Sequence, residues 1–287
     1  MNRAVVTVAL IGLTLTSHGQ ARALAARAST QGGHMLWYNI CNPSSTATPL
    51  IVCHGGPQVP SDYLFDLSKL ETRPVIFYDQ LGCGRSDAPP ADSGEYGVDA
   101  SVDDLKALIS HLSIDHFHLY GQSWGGLLAF EYANREKLAG RSGPVSLTLS
   151  NTPTSVPLVE SEAGRLVRDE CGDQVELFMQ RFNCRAEPAP EALAAAYAHA
   201  GSTWRGTAAI EGLEVDCEAP SAITCPTLVL RGEHDFVTDL CVSGWSRAIP
   251  HAEFNVLEDC SHHALLESPE LYLGQLGAFL DRCDTKE

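Results

Sequence analysis

The stretch LYGQSWGGLLAFEYA, Leu119 to Ala133, decides how the chain is read. It holds Gly121-Gln122-Ser123-Trp124-Gly125, a G-x-S-x-G pattern. With Gly and Ser each near 7% of residues in ordinary proteins, such a match arises by chance in roughly one chain of this size in ten, so its setting must carry the argument. Upstream, DHFHLY is aromatic and apolar enough for a short buried strand; downstream, GLLAFEYANRE carries an apolar stripe at helical spacing. Ser123 therefore falls on a strand-to-helix turn. Flanking glycines permit a cramped bend there, the serine oxygen is pushed out over the sheet edge, and the following N–H faces a developing oxyanion. The competing interpretation is a small residue in a glycine-rich turn that merely opens a helix.

Working outward, strand-like runs alternate with helical ones: MLWYNIC, PLIVCHGG, RPVIFYDQ, the helix VDASVDDLKALISHL, then the strand and helix around Ser123. PVSLTLSN, CPTLVLRGEHD, AEFNVLED and a closing helix from Pro269 to about Cys283 continue the series. This alternation predicts an α/β fold, a mostly parallel sheet flanked by helices. Between PVSLTLSN and CPTLVLRGEHD, residues 154–221 contain short amphipathic helical stretches and no strand. They form a candidate cap, placed by chain order over the carboxyl edge of the sheet, where ligands bind. The core then comprises residues 30–153 and 222–287.

The chain has 287 residues with 44% hydrophobic content, enough for one large α/β domain with an inserted subdomain. A formal net charge of −17 argues against nucleic-acid and anionic-membrane partners. No obligate protein partner is implied, and no cofactor. Near the N-terminus, Arg3 precedes the apolar run AVVTVALIGLTLT and then small and polar residues, which predicts a signal peptide over residues 1–25 and a secreted protein. An organellar transit peptide is the alternative, because Arg22 and Arg27 appear and no Asp or Glu precedes Asp62. Ten cysteines form an even set without metal-ligand spacing, so no metal site is expected and one to three disulfides are, chiefly from Cys171 onward.

A serine nucleophile needs a base, a carboxylate that orients it, and oxyanion donors. On such a sheet the acid and the histidine follow the serine in chain order. Asp235 ends the strand-like PTLVLRGEHD, and His262 follows AEFNVLEDCS, so both emerge at the edge where Ser123 stands. His263 is an alternative base, and Glu233 or Asp259 an alternative acid. For the oxyanion, the N–H of Trp124 pairs with one from HGGP, residues 54–57; Pro57 has no N–H, leaving Gly56 first and Gly55 next.

HGGP (His54 to Pro57), YDQLGCGRSD (Tyr78 to Asp87), GQSWGG (Gly121 to Gly126), SNTP (Ser150 to Pro153), RGEHD (Arg231 to Asp235) and CSH (Cys260 to His262) occur in that order. Together they resemble the proline iminopeptidases of the α/β-hydrolase superfamily, from Trp37 to Phe279. The resemblance implies the α/β-hydrolase fold with a small helical cap between strands 6 and 7. It further implies Ser123, Asp235 and His262 as the catalytic triad, Trp124 and Gly56 as the oxyanion hole, and His54, Gly55 and Trp204 as substrate contacts. The implied substrate is a small peptide cleaved after its N-terminal residue, Pro or small apolar, through an acyl-enzyme. An esterase, lactonase or amidase is the alternative, and a non-catalytic binding module is a third reading. The pattern departs from the family in three places. Gln58 stands where HGGPG has its last glycine, Phe236 follows Asp235 where a carboxylate is expected, and Thr203 stands where the cap supplies a glutamate. Glu211, Glu214 and Glu218 are candidate replacements for those amine anchors.

Overall fold

In a computed structural model the described residues are 24–285. Eight strands form one sheet: β1 (Leu24–Ser29), β2 (Met35–Cys41), β3 (Leu50–Cys53), β4 (Val75–Tyr78), β5 (His118–Gln122), β6 (Ser146–Ser150), β7 (Thr227–Gly232) and β8 (Glu253–Leu257). Their spatial order is β1-β2-β4-β3-β5-β6-β7-β8, with β1 and β2 antiparallel and the rest parallel. β3, β4 and β5 are buried throughout, as expected for strands covered on both faces.

Helix α1 (Val98–Leu112) turns Val102, Leu105, Leu108, Ile109 and Leu112 inward at helical spacing. It ends at Ser113, left-handed at φ 52°, whose N–H returns to the Ile109 and Ser110 carbonyls. With α2 (Trp124–Leu138) it covers one face of the sheet. The 3₁₀ turn Ser61–Lys69 and the C-terminal helix, Pro269–Asp284, cover the other. Between β6 and β7 the chain leaves the sheet in short helical pieces, including α3 (Val156–Arg165) and α4 (Glu191–Ala198). Among the described residues no helix is long and apolar enough to cross a membrane.

Two expectations are corrected. The core begins before residue 30, because Leu24–Ser29 pair with Met35–Ile40 as β1. Of the stretch read as a leader, residues 1–23 lie outside the described residues, while Leu24 and Ala25 belong to this strand. None of the ten cysteines is in a disulfide. Several of them serve as small apolar core residues: Cys53, Cys241, Cys260 and Cys283 are each at most 4% exposed.

Candidate active site

Ser123 stands between β5 and α2 with φ 55° and ψ −122°, a conformation that side chains rarely adopt. Glycines make the turn feasible. A Cβ on Gly125 would lie 2.2 Å from the Cys53 carbonyl oxygen, and one on Gly126 would lie 1.9 Å from Thr152 Oγ1, so α2 packs directly on β3 and on the end of β6. The Ser123 N–H donates to the Ser150 carbonyl at 2.8 Å, and the Ser123 carbonyl receives Gly126 N–H. Trp124, the first residue of α2, has its N–H among the donors a helix leaves without an internal partner. Ser123 and Trp124 line a cavity of about 210 Å³ together with Gly56, Tyr63, Asn183, Tyr197, Arg205, Phe236, His262 and His263. At roughly 30 Å³ per water molecule this space suits a small acyl group.

Asp235 and His262 meet at the same wall. Nδ1 of His262 lies 2.8 Å from Asp235 Oδ1, with Asp235 3% and His262 5% exposed. The carboxylate also accepts Val237 N–H at 2.8 Å and Asn151 Nδ2 at 2.7 Å. The acceptor at Nδ1 selects the tautomer that leaves the lone pair on Nε2. Phe236 covers the imidazole, ring centroids 4.2 Å apart. The alternative acid and base stand elsewhere. Glu233 and Asp259 flank His234 at the surface, and neither ring nitrogen of His263 has a hydrogen-bond partner.

Gly56 and Pro57 line the cavity. The Gly55 N–H is committed to Tyr63 Oη at 2.8 Å, which leaves Gly56 as the donor of this loop. Of the expected substrate contacts, His54, Gly55 and Trp204 are not brought to the cavity wall. His54 is fully buried and turned back into the protein: its Nε2 accepts Gln80 N–H at 2.9 Å, and Gln80 Nε2 reaches its carbonyl at 2.8 Å. Burial pushes its pKa down, against the pull of Asp79. Trp204 packs edge-on against Trp124 at 5.3 Å, outside the cavity, while its neighbours Arg205, Gly206 and Thr207 line it. Gln58, at φ 65°, uses its carbonyl and Oε1 to receive the N–H groups of Gly201 and Trp204, tying the loop after β3 to the cap. Glu214 binds Ser155 Oγ at 2.6 Å on an outer groove, Glu211 and Glu218 are exposed, and none of the three reaches the cavity. Among the described residues no Asp or Glu lines it.

Three supporting residues went unassigned from sequence. Asn151, at φ 50° just after β6, holds Asp235. Its place at the carboxyl end of the strand beside β5 was the available clue. Gln122 and Tyr63 form a buried relay: Tyr63 Oη donates to Gln122 Oε1 at 2.7 Å, and Gln122 Nε2 lies 3.2 Å from His262 Nε2. Because the Gly55 N–H can only donate, it fixes the direction of every bond in this chain. The glutamine amide therefore points its N–H at the Nε2 lone pair of His262.

Residues 48–166 match the family described as the alpha/beta hydrolase fold. The chain is 33% identical over 267 residues to a proline iminopeptidase of Heyndrickxia coagulans, covering 82% of this chain and 91% of the relative. Among solved structures it is similar to a proline iminopeptidase of Mycobacterium smegmatis: TM-score 0.77, 29% identity, 91% of this chain and 99% of the other. It is also similar to a thermophilic esterase of Thermogutta terrifontis: TM-score 0.69, 25% identity, 91% of this chain and all of the other. The chain belongs to the proline iminopeptidase family of α/β hydrolases.

Proposed function

We propose that this hydrolase cleaves the amide bond after the N-terminal residue, Pro or small apolar, of a small peptide through an acyl-enzyme on Ser123. What supports this is the meeting at one small cavity of a serine in a strained turn, a histidine paired with a buried carboxylate, and Gly56 and Trp124, whose N–H groups we assign as the oxyanion donors. Ser123 Oγ attacks the carbonyl carbon while His262 Nε2 takes its proton. The oxyanion rests on the Gly56 and Trp124 N–H groups. The C–N bond then breaks, His262 returns the proton to the leaving amine, and water repeats the sequence to release the acid. Asp235 orients the imidazole and stabilises the imidazolium.

The same machinery opens esters, and a cavity without carboxylates favours that as the second reading. Rates on proline and alanine arylamides, on the same compounds with blocked amines, and on an aryl ester separate the two. Ser123-dependent turnover abolished by blocking the amine supports the aminopeptidase. Turnover indifferent to the amine, or confined to the ester, refutes it. For localisation we propose export through the N-terminal apolar segment, with cleavage before Leu24 so that β1 stays whole; the N-terminal sequence of the exported protein tests this.

A further inference from the structure

Several buried polar atoms among the described residues lack a hydrogen-bond partner, and of these only the two ring nitrogens of His263 belong to a residue that lines the active-site cavity. His263 is 6% exposed. Native proteins rarely leave a buried imidazole with both nitrogens idle, and one that does so at a cavity wall is stationed for a ligand. Its position is fixed. The backbone N–H donates to the Asn183 carbonyl at 3.0 Å and the carbonyl accepts Leu266 N–H at 2.8 Å. Around the ring stand Tyr63 at 5.1 Å, His262 at 5.4 Å and Tyr197 at 6.4 Å, all near-perpendicular.

The groups that face His263 agree on its charge. Burial, and then the neighbouring His262, push its pKa well below the ordinary value. Burial raises the pKa of both Tyr63 and Tyr197, so both stay neutral. The Glu267 carboxylate of the following turn is occupied by the Ser261 N–H at 2.6 Å. Arg205 supplies the positive charge at the cavity, and no carboxylate opposes it. An ammonium group in this space would meet a guanidinium and no lining carboxylate, since Asp235 lies behind the wall and is bound by His262, Val237 N–H and Asn151. A neutral imidazole offers one N–H and one lone pair, and an uncharged amine offers the same two groups in complementary sense.

We propose that His263 is the specificity-determining contact for the amino-terminal nitrogen of the substrate, and that it takes that nitrogen as the uncharged amine. This rests on the aminopeptidase reading of the site.

The test compares the wild type, His263→Leu, His263→Asn and Ser123→Ala on proline and alanine arylamides and on an aryl acetate that has no amine. In His263→Leu the ratio of arylamide to ester kcat/KM is expected to fall on the order of 30-fold, chiefly through KM, as expected for a lost buried hydrogen bond. His263→Asn, which keeps a donor and an acceptor, should recover much of that ratio. In the wild type, kcat/KM on free-amine substrates should rise with pH through the substrate's own amine pKa, near 8 for an ordinary α-amine, with no such limb on the ester. An unchanged ratio, or a KM for free amines that improves as pH falls, overturns the proposal alone. Ser123-dependent ester cleavage with no arylamide turnover at any pH overturns the aminopeptidase reading and the proposal with it. Thermal unfolding followed by circular dichroism reports folding in each variant, independently of turnover.

Discussion

Replacing Asp235 by Asn removes one charge and leaves the shape almost untouched. Oδ1 receives two donors, the His262 Nδ1–H and the Val237 N–H, whereas Oδ2 receives only Asn151 Nδ2. The new side chain will therefore keep its carbonyl at the Oδ1 position, preserving the histidine tautomer, and turn its NH₂ toward Asn151. Two amide donors then face each other at a contact now 2.7 Å long. Losing that bond and weakening two charge-assisted ones costs about 2–4 kcal/mol of stability. In catalysis the loss falls on the transition state, where an imidazolium forms beside this carboxylate. With the charge centres roughly 4 Å apart and an effective dielectric near 20, the missing attraction is about 4 kcal/mol, or about 10³ in rate. The assay is kcat and KM on an arylamide and an aryl ester, with urea unfolding on the same samples. A folded variant retaining more than a tenth of wild-type kcat would refute the assignment of Asp235 and the charge argument behind it.

Four further outcomes are expected. Gly125→Ala places a methyl 2.2 Å from the Cys53 carbonyl oxygen and 2.5 Å from that of His54, both backbone, so thermal unfolding should show a loss above about 3 kcal/mol; a shift of a degree or two would contradict the packing of α2 on β3. Burial, then Glu95 and Asp103, raise the Asp104 pKa to about 7. The folded state thus holds a proton that the unfolded chain sheds near pH 4, and stability is lost as pH rises from about 4 through 7; Asp104→Asn should be more stable by about 2–4 kcal/mol at pH 8 and equal at pH 4, and parallel stability curves would rule this out. Tyr63→Phe and Gln122→Met should each cost about 1–3 kcal/mol, with a coupling energy of at least about 0.5 kcal/mol in a double-mutant cycle; additive costs would dissolve the relay. Denatured protein without reductant should titrate as ten thiols, and a lower count would reveal a disulfide.

The parallel core was legible because its strands are unbroken apolar runs, and α1 because Val102, Leu105, Leu108, Ile109 and Leu112 repeat at helical spacing. β1 was not: in LAARAS only Ala28 is buried, so nothing in the residues marks a strand that the pairing with β2 creates. Strand ends and chain order could nominate Ser123, Asp235 and His262 while leaving His263, Glu233 and Asp259 open, and the order of the family motifs chose among them. The motif HGGP announced a loop near the cavity without saying which of its groups turn inward; His54 faces Gln80 and Gly55 is spent on Tyr63. Asn151 and Gln122 escaped because a polar side chain at a strand end carries no periodicity. The even cysteine count misled, since a thiol packs as a small apolar group and parity says nothing about distance.

The cap touches the catalytic machinery through the backbone. The Phe182 carbonyl accepts the His262 N–H at 3.2 Å, and the Asn183 carbonyl accepts the His263 N–H at 3.0 Å. Any motion that lifts residues 179–183 to admit a substrate withdraws both supports from the loop that carries the base. A raised cap would leave the His262 loop held by the Asp235 contact but without these two backbone bonds. Amide hydrogen exchange at His262 and His263 should therefore follow that of the cap rather than that of the sheet. Two backbone hydrogen bonds thus join the cap and the His262 loop into one mechanical unit.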